Sequence, residues 1–112
     1  MVIAMISENE KVVLIIEVMQ GYPEAGSGNT LKCLKWKYDV CQYTFIDEET
    51  GEKHKVFLRG LLKGFDILME LAIRGKYKNC NFPNGMMDAG NWDGLDTDAL
   101  VQCAIFGDVI YG

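Results

Sequence analysis

Residues 76–95 carry neither a helical nor a strand period, yet they separate two segments that read as helices. A compact domain seldom keeps so long a connection unless the segment has a use or is disordered. Within it Asn79, Cys80, Asn81, Asn84, Asp88, Asn91 and Asp93 alternate with Tyr77, Phe82, Met86, Met87 and Trp92. Asn, Asp and Gly supply turns and adaptable hydrogen bonds, and large aromatics supply apolar contact area, so this make-up suits a recognition surface. Tyr77, Phe82, Asn84, Asp88, Asn91, Trp92 and Asp93 are the expected binding residues. Trp92 is expected to be an exposed anchor for a partner; the competing reading makes it a lid over the core.

The flanks of this segment are easier to read. Leu58, Leu61, Leu62, Phe65, Leu68, Met69 and Ala72 recur at three and four, with Lys63, Asp66, Glu70 and Arg74 opposite, which predicts an amphipathic helix stopped by Gly75. A last helix is predicted from Asp96 or Thr97, presenting Leu100, Val101, Ala104, Ile105, Val109 and Ile110. It is apolar nearly all round and so buried on more than one side.

The amino-terminal half reads as strands. Val12, Val13, Leu14, Ile15, Ile16 and Val18 are nearly all β-branched and predict a central strand over 11–19, with 2–6 pairing to it across 7–10. A loop follows over 21–29. Leu34, Trp36, Tyr38 and Val40 then fall opposite Lys35, Lys37 and Asp39, but the apolar set changes parity at Cys41, Tyr43 and Phe45. A bulge or turn near 39–41 would reconcile the two halves, and a helix over 29–38 is the competing reading. The polar run 47–52 predicts a hairpin between 41–46 and 53–58. The expected fold is one α+β domain over residues 1–112, a small antiparallel sheet of four or five strands followed by two helices packed on one face.

Charge bears on partners. Sixteen acidic against eleven basic residues leave a net charge of −5, which as a whole repels nucleic-acid backbones. The basic residues nevertheless gather as Lys32, Lys35, Lys37, Lys53, Lys55, Arg59 and Lys63, near Trp36, Tyr38, Tyr43 and Phe57. That would make a basic, aromatic face for single strands. The simpler reading is lysines on the solvated side of alternating strands, and nucleic acid is not the expected partner. No apolar run approaches the roughly 18 residues of a membrane helix, and residues 1–6 lack a basic flank for an export signal. The expected compartment is the cytoplasm, with Cys33, Cys41, Cys80 and Cys103 reduced.

The chemical motifs stop short. The cysteine intervals show no paired zinc knuckle. Gly26-Ser27-Gly28-Asn29-Thr30 lacks the lysine and hydroxyl ending of a phosphate loop. Asn91, Asp93 and Gly94 match three positions of a calcium loop whose first and twelfth positions here are Ala89 and Leu100. His54, the only histidine, has Cys41 or Cys80 as its sole thiol candidates. No catalytic residue, metal or cofactor is therefore expected.

The expected function is non-enzymatic binding of an unidentified ligand, as a regulatory or mobile-element accessory factor, with a protein partner met through 76–95. One alternative is a divalent-metal hydrolase using Asp88, Asp93, Asp96 and Asp98; another is single-strand binding through the basic cluster. A homodimer is also expected, because a strand at 11–19 with apolar residues on both faces leaves surface that two helices cannot cover.

Overall fold

A computed structural model describes residues 6–23 and 31–111 of the chain. The segment expected to be a central strand is a helix, α1 (Glu8–Met19). Ser7 starts it: its Oγ accepts the Glu10 backbone N–H at 3.2 Å and donates to the Glu10 carboxylate at 3.2 Å. Glu8 and Glu10 place negative charge at the positive end of the helix dipole. Leu14, Ile15 and Met19 are buried, and Val18 packs beside them. β-Branching disfavours helix by only about 0.7 kcal/mol per residue at most, and the cap plus burial of one face outweighs it. The expected partner strand over 2–6 lies, apart from Ile6, outside the described residues, as does the Gly26–Thr30 stretch.

Three strands, rather than four or five, occur among the described residues. They are β1 (Leu31–Lys37), β2 (Gln42–Asp47) and β3 (Lys53–Val56), antiparallel in the order β1-β2-β3. The β2–β3 hairpin falls where the polar run predicts it, closed by Gly51 N–H to Asp47 C=O at 2.7 Å, with Gly51 at φ 77°. The expected turn near 39–41 is present: residues 38–40 form a 3₁₀ turn and Cys41 reverses the chain at φ 48°, so that Trp36 and Tyr43, of opposite parity, pair on one face. A second change of parity, not expected, lies upstream, where Cys33 pairs with Phe45 and Lys35 with Thr44 and Leu34 is left as a bulged extra residue. No helix forms over 31–37, the described part of the competing reading.

α2 (Leu58–Ile73) has the predicted bounds. Its end is a Schellman motif: Lys76 N–H donates to Leu71 C=O at 2.8 Å, and Gly75 N–H to Ala72 C=O at 3.1 Å, with Gly75 at φ 72°. α3 (Gly94–Phe106) begins two residues before the earliest expected start and ends before Val109 and Ile110. Asp93 caps it, accepting the Asp96 N–H at 2.9 Å while the Asp96 carboxylate accepts the Asp93 N–H at 2.9 Å. Asp96 is thus the third helical residue of a capping box, not the start.

The inner sheet face adds Leu31, Tyr43, Phe45 and Val56 to one buried cluster with Leu61, Phe65 and Leu68 of α2 and Leu100 and Val101 of α3. All residues from Asp96 to Cys103 are buried. α2 and α3 approach closely at Gly64, where a Cβ would lie 2.7 Å from the Ala104 nitrogen and 2.9 Å from the Leu100 oxygen. α1 joins this pair through Lys11, whose ammonium lies 2.8 Å from Asp66.

Candidate functional site

The 76–95 segment is folded back onto the two helices it joins. The Trp92 ring stacks on Phe65 at 6.4 Å and 14°, lies 5.1 Å from Phe82, and donates its Nε1–H to the Met86 carbonyl at 2.8 Å. Tyr77 packs on Phe82 at 6.0 Å and donates its hydroxyl to Asp96. Tyr77, Phe82 and Trp92 are therefore brought together, but half-buried and turned inward. The polar candidates mostly shape turns: Asp88 accepts the Gly90 N–H at 2.9 Å, and Asn91 donates to Gly85 C=O at 2.7 Å. Gly85 is at φ 83°, and a Cβ there would meet the Asn91 amide at 2.9 Å. Asn84, Asp88 and Asp93 are exposed.

The carboxylates of this region are engaged by the fold's own donors. Asn79 Nδ2 reaches both oxygens of Asp96 at 3.0 Å. Asp98 accepts Tyr22 O–H at 2.9 Å and Gln102 Nε2–H at 2.7 Å. Burial, helped by the bond to Asp96, holds the Tyr77 hydroxyl far above its ordinary range. Among the described residues no group of three or more His, Cys, Asp or Glu is placed to hold a metal. The hydrolase alternative gains nothing from this geometry.

The thiols are equally plain. All four cysteines are free; Cys41 and Cys103 are buried and Cys80 is exposed. Burial pushes the Cys103 thiol up to about 12, and a protonated thiol is a poor nucleophile and metal ligand. His54 packs edge-on against Phe106 at 5.6 Å, and its Nε2, 3.8 Å from the Glu52 carboxylate, has no hydrogen-bond partner among the described residues.

The outer sheet face is different in kind. Cross-strand partners share a face. Lys32 pairs with Ile46 and Ile46 with Lys53; Lys35 pairs with Thr44 and Thr44 with Lys55; Lys37 pairs with Gln42. Neutral β2 residues therefore lie between lysines on the two edge strands. The Leu34 bulge makes this possible, because it lets Lys32 and Lys35, of opposite parity in sequence, project to the same side. A concavity of about 380 Å³ on this face is lined by Lys35, Lys37, Lys53 and Lys55 together with Leu34 and Phe57, and by no carboxylate; Trp36, paired with Tyr43 of the inner face, alternates with the lysines and projects to the other side. Leu34 is 40% and Phe57 48% exposed. None of the five sheet lysines has an ion-pair partner among the described residues.

The sequence signals this face only through its lysines and Phe57. The bulge that gathers them has no glycine or other marker. Comparison with known protein families, with curated proteins and with solved structures finds no match.

Proposed function

We propose that the protein is a non-enzymatic binding module whose working surface is the outer face of the sheet, taking an anionic partner. The carrying observation is the concavity lined by four lysines and no carboxylate. Net charge argues the other way, but range decides between them. The Debye length is about 8 Å at physiological salt, whereas the molecule measures 40 × 29 × 21 Å, so acidic groups on distant surfaces are screened from a ligand seated here. Cytoplasmic residence and a role as a regulatory or mobile-element accessory factor belong to the same proposal. No helix among the described residues is long and apolar enough to cross a membrane.

Thermal melting tests this reading. Heparin or polyphosphate at a hundredfold excess over Kd should raise the melting temperature by roughly 10 °C, because a ligand specific to the folded state stabilises it. The shift should shrink with added salt and vanish in the double variant Lys35→Glu/Lys55→Glu. No shift with any polyanion at low salt would remove the proposal.

A second reading concerns the first helix and the long connection. Val13 is 57% and Ile16 39% exposed, and a hollow of about 350 Å³ joins Val13 and Leu14 of α1 to Met87 and Ala89. The earlier argument for a homodimer relied on a strand at 11–19 and falls with it. This stripe supplies another basis, for a second copy or a protein partner meeting α1 and the 76–95 segment together. Light scattering at micromolar concentration should give twice the chain mass and revert to monomer in Val13→Asp; a monomeric wild type excludes the dimer.

A further inference from the structure

We infer that the anionic partner is a single-stranded nucleic acid, running across the strands from β1 over β3 towards the start of α2. This rests on the sheet face being the working surface, and it adds the ligand class and the path.

Two observations set the path. A second hollow, of about 560 Å³, adjoins the first beyond β3 and shares Lys53, Lys55 and Phe57 with it. It adds Arg59 of α2 and again has no carboxylate in its lining. Ala104 and Ile105 of α3 also line the second, so the two hollows together lead from the outer face over β3 towards the helices. The turns at the sheet's ends carry acid, Asp39 between β1 and β2, and Glu48, Glu49 and Glu52 between β2 and β3. A polyanion laid along the strands would meet these carboxylates, whereas one laid across them meets five cations.

Phe57 selects the ligand class. It stands just beyond β3, is 48% exposed, and lines both hollows among the cations. The carboxylates of an acidic peptide would satisfy the lysines but offer no π face for this ring. Unpaired bases stack on such a side chain whatever their sequence, and duplexes keep their base faces covered.

The probe is a fluorescein-labelled oligothymidylate of about 15 nucleotides, within the span of known single-strand sites. Neutralising about five phosphates should weaken binding about 100-fold between about 50 and 200 mM salt. Phe57→Ala should weaken it at least about fivefold, with Phe57→Tyr recovering most of the loss, and Trp36→Ala, on the other face, should not. Leu34→Ala removes apolar area from the same hollow without removing a π face and should have a smaller effect. Arg59→Glu should weaken binding, and Lys76→Glu, which lines neither hollow, should not. Circular dichroism and melting of each variant separate lost binding from lost fold.

Equal affinity for polyglutamate or for duplex of the same length, with Phe57→Ala unchanged, overturns this inference and leaves a general polyanion face. Absence of binding to oligothymidylate, heparin and polyglutamate alike overturns both it and the reading on which it rests.

Discussion

Replacing Trp92 with alanine should cost the folded chain about 3 to 5 kcal/mol, the usual range for removing a large aromatic from a core. Domains of this size hold only about 5–15 kcal/mol in all, so the variant should be near the limit of folding. The loss has three sources: the stack on Phe65, the contact with Phe82, and the Nε1–H bond to the Met86 carbonyl. Urea melts should show a lower midpoint with an unchanged slope. Trp92→Phe should recover part of the deficit, since it keeps a stacked ring and loses the donor. A loss below about 1 kcal/mol, the ordinary scale for a surface change, would return Trp92 to the role of an exposed anchor.

Gly64→Ala should also destabilise, and here the sign runs against helix propensity. Alanine is favoured over glycine inside a helix by about 1 kcal/mol. At Gly64, however, the new methyl would sit 2.7 Å and 2.9 Å from backbone atoms of α3, which cannot swing aside as a side chain would. α2 and α3 would have to separate along their contact, and overpacking of that kind costs about 1–3 kcal/mol or more. Gly60 in the same helix has nothing within 4 Å of its Cβ position, so Gly60→Ala should be neutral or stabilising by up to about 1 kcal/mol. Paired denaturant melts of the two variants should therefore move in opposite directions. Movement in the same direction would mean that the two helices do not meet at Gly64.

What the sequence revealed depended on whether one local signal dominated. α2 was legible to its ends because a strong period, a glycine stop and polar flanks agree. The β2–β3 hairpin was legible for the same reason. α1 departs from the strand expected there because β-branched composition is only a weak preference, whereas the Ser7 cap, three residues before Glu10, is a specific helix start. The parity change at 39–41 was legible because the alternation breaks there, whereas the Leu34 bulge was not, since Leu34 and Trp36 continue one alternation. For the candidate site, the lysines are plain in the sequence. Their meeting on one face was not, because that depends on the pairing of three strands. The inward turn of Tyr77, Phe82 and Trp92 depends on Phe65, Met86 and Asp96, and no local pattern in 76–95 announces those partners.

The polar groups buried in α3 also bear on how the chain is made. The Thr97 hydroxyl reaches Val18 C=O across 79 positions of sequence, and Asp98 receives the Tyr22 hydroxyl across 76. At roughly 5–20 residues per second of synthesis, α1 leaves the ribosome about 4–16 seconds before the helix that supplies its partner. During that interval Leu14, Ile15 and Met19 lack the apolar surroundings that later enclose them, and the nascent chain presents a hydrophobic segment of the sort that chaperones hold. How long that segment stays uncovered is thus set by the distance along the chain between the first helix and the last.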